Sequence, residues 1–160
     1  MRIDISVARQ QLTLFDDADR VLRRYPVSTA AAGVGEVSGS FRTPRGQHVI
    51  RAKIGDGLPE NTVFVRRRPT GEIWTPALDA EFPGRDWILT RILWLSGCEP
   101  GFNRLGCVDT MRRYVYIHGS PARVDMGQPG SHGCIRMRND DLIDLYERVP
   151  CYTPVDIRED

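Results

Sequence analysis

Alternation of apolar and polar residues runs through the first third of the chain. Ile3, Ile5 and Val7 fall on one side of an extended segment, with Asp4 and Ser6 on the other, the period-two signature of a half-buried strand. After Gln10-Gln11 the segment Leu12-Thr13-Leu14-Phe15 continues in the same manner, and Asp16-Asp17 marks a turn before a strand over 21–27. Gly33, Gly35 and Gly39, followed by Thr43-Pro44-Arg45-Gly46, make a long turn-rich stretch; 48–54 and 63–65 then read as strands. Pro59, Pro69, Pro76 and Pro83 give the middle an irregular character. Trp87 to Leu95 reads as a buried strand, and Tyr114 to His118 as an aromatic, β-branched strand ending at a histidine.

One helix stands out. Asn139 is placed to cap it, Asp140 and Asp141 suit the positive end of its dipole, and Leu142, Leu145, Tyr146 and Val149 form one apolar stripe before Pro150 stops it. A last strand covers 153–157. No repeat, low-complexity tract or long linker divides residues 1–160, so the pattern predicts a single, mostly β domain with one helix near the C-terminus.

Composition narrows the function classes. The 22 basic and 21 acidic residues nearly cancel, whereas a nucleic-acid binder carries a marked basic excess. Lys53 is the sole lysine; arginine suits bidentate capture of carboxylates, although Arg66-Arg67-Arg68 reads as a solvated loop or strand edge. No run approaches the ~18 apolar residues of a membrane span. Met1-Arg2 leads directly into a strand-like pattern and not into the apolar stretch of a secretory signal. The expected location is therefore the cytoplasm, or the periplasm if a leader has been removed. Cys98 and Cys107 are the one pair of cysteines close in sequence and would bridge only in an oxidising compartment.

Candidate chemistry gathers in one short region. Of three histidines and four cysteines, His118, His132 and Cys134 fall close together among Gly119, Gly127, Gly130 and Gly133. A thiol following Ser131-His132-Gly133 has little bulk in front of it. A free thiol has a pKa near about 8.5, and a neighbouring imidazole activates it as a thiolate–imidazolium pair or as a general base. His118, fixed at a strand end, is the candidate base for the nucleophile Cys134. No carboxylate stands in an obvious place to orient the imidazole, which leaves the Gly119 carbonyl for that role. The successive amides of Gly133 and Cys134 are candidate oxyanion donors. Tyr116, two residues before His118, shares its face and is a candidate substrate contact; Trp74 and Trp94 are weaker groove candidates, with core packing favoured for Trp94, and His48 reads as structural or surface. A zinc site using His118, His132 and Cys134 with Cys98 or Cys107 would supply enough ligands, but no CxxC or HxxxH spacing supports it. No metal and no cofactor is expected.

At these residues the chain resembles the L,D-transpeptidase catalytic domain family. The resemblance is carried by Ile117-His118-Gly119-Ser120 and Ser131-His132-Gly133-Cys134-Ile135-Arg136-Met137, and extends to the opening strands, to Phe41-Arg42-Thr43-Pro44-Arg45-Gly46 and to the helix and final strand. Many members carry Asn two residues after the nucleophile; here it is Arg136, as in some branches. The resemblance implies a β-sandwich-like fold, Cys134 as nucleophile, His118 as base, the Gly119 carbonyl as its orienter, and Ser131, His132 and Gly133 shaping the loop and oxyanion hole. It also implies a peptidoglycan tetrapeptide or muropeptide as substrate, and carbapenem-type inhibitors as ligands of the same thiol. Read from the residue itself, Arg136 is a candidate partner for a stem carboxylate if its side chain points inward. Attack on the carbonyl of the third, L-configured centre expels D-alanine and leaves a thioester. Water then gives L,D-carboxypeptidation, an amine a 3–3 crosslink. The expected role is a cytoplasmic L,D-carboxypeptidase in peptidoglycan recycling; an exported crosslinking transpeptidase and a non-catalytic wall-fragment binding module are the alternatives.

Overall fold

The computed structural model describes residues 1–160. Ten strands share one hydrogen-bonded sheet: β1 (Arg2–Ser6), β2 (Gln11–Phe15), β3 (Val21–Ser28), β4 (Gly46–Ile54), β5 (Thr62–Val65), β6 (Arg68–Ile73), β7 (Ile88–Gly97), β8 (Tyr116–Gly119), β9 (Ile135–Met137) and β10 (Pro154–Arg158). Their spatial order is β4-β10-β1-β2-β3-β9-β8-β7-β5-β6, and β4 also pairs with β7. That second pairing folds the sheet over on itself, so two β layers enclose one core, as the predicted sandwich-like class requires. The helices are α1 (Pro76–Glu81) and α2 (Asn139–Arg148).

The alternation read from the sequence is the core. In β1 and β2 every second residue is buried, with Ile3, Ile5, Leu12 and Leu14 fully so. They join Ile117, Ile135 and Met137 from the central strands and Leu142, Leu145, Tyr146 and Val149 from α2 in one cluster of 19 buried residues. The apolar stripe of α2 thus lies against the sheet, where the helix packs on β7 and β8.

Several boundaries differ from expectation. Val7 lies just beyond β1, its N–H donating to Arg158 O at 2.8 Å. Tyr114 is outside β8, with φ of +57°, because the chain turns sharply before entering the strand. Residues 68–73 and 76–81, expected to be irregular, form β6 and α1. The prolines there do not oppose this: Pro69 sits near the start of β6, which ends the sheet order, and Pro76 opens α1 behind the Thr75 cap. Asn139 does not cap α2; the cap position is Arg138, and Asn139 is the first helical residue. Its side chain is drawn inward instead, accepting from Thr90 Oγ1 at 2.8 Å and donating to Asn61 Oδ1 at 2.8 Å. Arg66-Arg67 is the β5–β6 turn and Arg68 opens β6; Arg66 and Arg67 are in left-handed conformation and face a cleft.

Candidate active site

The parallel pairing of β8 with β9 brings the candidate residues together. Ile117 is opposite Ile135 and His118 opposite Arg136. Ile117 and Ile135 are fully buried in the core, so the alternating residues Tyr116, His118, Cys134 and Arg136 fall on the other face. Cys134, just ahead of β9, is therefore the diagonal neighbour of His118. All four line one cleft of about 750 Å³, together with Ser131, His132 and Asp86.

His118 is 2% exposed, and its Nδ1 is 2.7 Å from the Gly119 carbonyl. A carbonyl only accepts, so Nδ1 carries the proton and Nε2 is left as the basic nitrogen. Gly119 is required here: a Cβ at this position would lie 2.2 Å from Asn139 Oδ1 and 2.6 Å from Leu89 O. Beside its partner Leu89, at an irregularity in β7, Thr90 holds a φ of +75°, an unusual conformation for a β-branched residue that the Asn61–Thr90–Asn139 network sustains.

Cys134 is half-buried. Its Sγ accepts from the Tyr116 N–H at 3.3 Å and lies 3.5 Å from the Tyr114 carbonyl, to which the thiol donates. Burial pushes the Cys134 thiol up to about 12, and burial likewise lowers His118 below the ordinary imidazole value. Both groups rest neutral at pH 7. This favours activation by a general base over a standing thiolate–imidazolium pair.

The loop ahead of the thiol is closely tied. Ser131 Oγ donates to Cys134 O at 2.5 Å and accepts from Gly133 N at 3.2 Å, while Thr43 Oγ1 donates to Gly133 O at 3.0 Å. Gly133 has a φ of +130°, which a residue with a Cβ rarely adopts. The Gly133 amide, expected to face an oxyanion, is thus committed to Ser131. The Cys134 amide has no protein acceptor and remains available.

Arg136 lines the cleft, but its charge is already met. Nη2 lies 2.9 Å from Asp86 Oδ1, and Nη1 donates to Gly130 O at 3.0 Å. Asp86 also lies 3.5 Å from His132 Nδ1. Asp86 carries no local signal in the sequence, since it reaches the cleft only because β7 begins beside β8. Trp74 is in a small core cluster with Trp87, while Trp94 stacks edge-on to Tyr116 behind the cleft. His48 is buried, bonded to Gly46 O and Thr110 Oγ1, and is structural. All four cysteines are free thiols, with Cys98, Cys107 and Cys151 exposed; no group of His, Cys, Asp and Glu is arranged to hold a metal ion.

Comparison with known proteins bears on the family and the fold. The family model of the L,D-transpeptidase catalytic domain (YkuD) matches residues 1–157. The "Probable L,D-transpeptidase YbiS" of Escherichia coli (strain K12) is 34% identical over 107 residues, covering 64% of this chain and 34% of that protein. The chain thus spans about a third of the length of that relative. Among solved structures, an L,D-transpeptidase from Mycobacterium smegmatis superposes with a TM-score of 0.56 at 21% identity, over 98% of this chain and 57% of that one. L,D-transpeptidase 3 from Mycobacterium tuberculosis, solved with a faropenem-derived adduct, gives 0.55 at 16% identity, over 98% and 59%. These two likenesses bear on the fold.

Proposed function

The chain belongs to the L,D-transpeptidase catalytic domain family, and from that premise we propose that Cys134 is the nucleophile of an acyl transfer on peptidoglycan tetrapeptide stems. The observation that carries this reading is the shared placement of Cys134 and His118. They are diagonal neighbours on paired strands, facing one cleft, with Nδ1 of His118 held by Gly119 O.

The steps follow from the protonation states. Sγ attacks the carbonyl carbon of the third, L-configured residue as Nε2 of His118 takes the thiol proton. The oxyanion meets the free Cys134 amide. Collapse breaks the C–N bond, His118 returns its proton to the departing D-alanine amine, and a thioester remains on Cys134. Water, deprotonated by His118, then releases a tripeptide and restores the thiol. The supporting observation for this L,D-carboxypeptidase outcome in the cytoplasm is the set of exposed thiols, Cys98, Cys107 and Cys151, which suit a reducing compartment. Soluble stems, not wall-bound acceptors, are met there. An amine from a second stem in place of water would give a 3–3 crosslink from the same thioester.

Mass spectrometry of the protein after exposure to a soluble tetrapeptide stem tests the reading. A stem adduct that has lost D-alanine is expected on Cys134, and none in Cys134→Ala. An unmodified thiol with unchanged stem would reject it and favour a binding module. Free tripeptide as product supports carboxypeptidation, whereas dimers in its place reject it. Carbapenem-type inhibitors are expected to acylate the same sulfur.

A further inference from the structure

We propose that the cleft selects peptide stems by their free carboxylates, with Arg67 as the fixed anchor; the proposal rests on the acyl-transfer reading for the identity of the ligand as a stem peptide. Five arginines line the cleft, Arg66, Arg67, Arg112, Arg113 and Arg136, against one acid, Asp86. Asp86 is occupied by Arg136 at 2.9 Å. The remaining four guanidinium groups have no carboxylate within ion-pair distance, so the lining of the cleft is net positive.

Those four are not equivalent. Arg113 spends its terminal donors on the chain itself: Nη1 on Gly35 O and Glu36 O, each at 3.2 Å, and Nη2 on Ser40 Oγ at 3.3 Å and Arg42 O at 2.7 Å. It contributes charge but little free hydrogen bonding. Arg66 and Arg112 are exposed and bonded to nothing through their side chains. Arg67 differs from all of them. Its Nη1 donates to Tyr116 Oη at 3.0 Å, and its guanidinium lies 4.5 Å from the Tyr114 ring centroid and 5.0 Å from that of Trp94. Two aromatic faces and a phenol fix its plane in advance, while Nε and Nη2 have no protein acceptor. Little side-chain freedom is left to lose on binding.

The position is apt. Tyr116, which holds the Arg67 guanidinium through its phenol, donates its own backbone N–H to the Cys134 sulfur. A planar fork held one residue from the nucleophile matches a carboxylate, which accepts two parallel N–H bonds. A carboxamide in its place turns an N–H group toward the fork and forfeits the charge.

Titration of Cys134→Ala protein measures this selection without chemistry, using a free-acid tetrapeptide stem and the same stem with its carboxylates converted to carboxamides. The free acid is expected to bind about tenfold more tightly at low salt, with the ratio shrinking as salt rises. Arg67→Gln on that background should bring the ratio close to one, and Arg67→Lys, which keeps charge but not the fork, should retain part of it. Stems amidated at one carboxylate at a time then identify the group Arg67 holds. Equal affinity of the two stems overturns the proposal, as does a ratio unmoved by Arg67→Gln or, should that variant not fold, by Arg67→Lys. Selection by the Cys134→Ala protein with no acylation of the wild-type thiol would uphold the anchor and overturn the acyl-transfer reading; acylation by both stems with equal binding would do the reverse.

Discussion

The side-chain oxygen of Asn139 occupies the space that a methyl group on Gly119 would need, 2.2 Å from an ideal Cβ. Gly119 in turn supplies the carbonyl that fixes Nδ1 of His118 at 2.7 Å. A helix-terminal side chain and the orientation of the candidate base are therefore mechanically linked. Gly119→Ala should destabilise the fold by about 1–3 kcal/mol through overpacking and lower activity further by turning the carbonyl. Asn139→Ala should lose about 1–3 kcal/mol by leaving Asn61 and Thr90 short of partners. Removing Oδ1 relieves part of the clash, so the double variant should fall short of the sum. Chemical denaturation of the four proteins checks this, and strict additivity would contradict the linkage.

Alkylation of the nucleophile should report its resting state. With the Cys134 thiol pushed up to about 12 by burial, its thiolate fraction rises about tenfold per pH unit across the neutral range. Iodoacetamide modification, followed at Cys134 by peptide mass spectrometry, should climb with that slope from pH 6 to 9. A rate that has already levelled off at pH 6 would mean a standing thiolate and would reverse the assignment of His118 as general base.

Acid should weaken the fold through His48. This group is 1% exposed, and burial lowers its pKa from 6.5 to about 4. The folded protein therefore holds the proton less readily than the unfolded chain. The neutral-state contribution is intact above the unfolded value and is lost as pH falls from 6.5 toward 4, by up to about 3 kcal/mol. His118, also lowered by burial, acts in the same direction. Thermal unfolding between pH 7 and 4.5 should show the decline in wild type and a shallower one in His48→Gln; parallel curves would remove His48 as a source.

Neutralising the one acid in the cleft should favour an anionic stem. Asp86 is 43% exposed while pairing with Arg136, so its screening of the local field is modest. Asp86→Asn should lower KM for a free-acid stem by up to about fivefold at low salt, with the difference disappearing in high salt. Weaker binding of the stem by this variant would show that Asp86 positions Arg136 or His132 for substrate and does not compete with it.

Much of this architecture is legible in the residues. The alternation at Ile3, Ile5, Leu12 and Leu14 and the stripe on α2 identify core positions because burial leaves a periodic trace. The grouping of His118 and Cys134 is legible for a different reason: thiol and imidazole are scarce, and their glycine-rich setting is conspicuous. Other features depend on contacts distant in sequence. Asn139 has the composition of a cap, yet Thr90 and Asn61 outcompete the helix end for its side chain. Arg67 sits in a run that any local rule assigns to solvent, and only the approach of Tyr114, Tyr116 and Trp94 gives it a fixed place. Asp86 and Arg136 are far apart in the chain, and the Gly133 amide is claimed by a hydroxyl two residues away. None of these pairings has a periodic signature.

The parallel alignment of Ile117 with Ile135 makes reactivity hostage to the hydrophobic interior. Sliding either strand by a single position would send His118 or Cys134 inward and an isoleucine outward, so no partly slipped arrangement keeps both reacting atoms in the cleft. Heating should therefore abolish turnover and cooperative structure together, with no temperature interval in which an intact sheet has lost its chemistry.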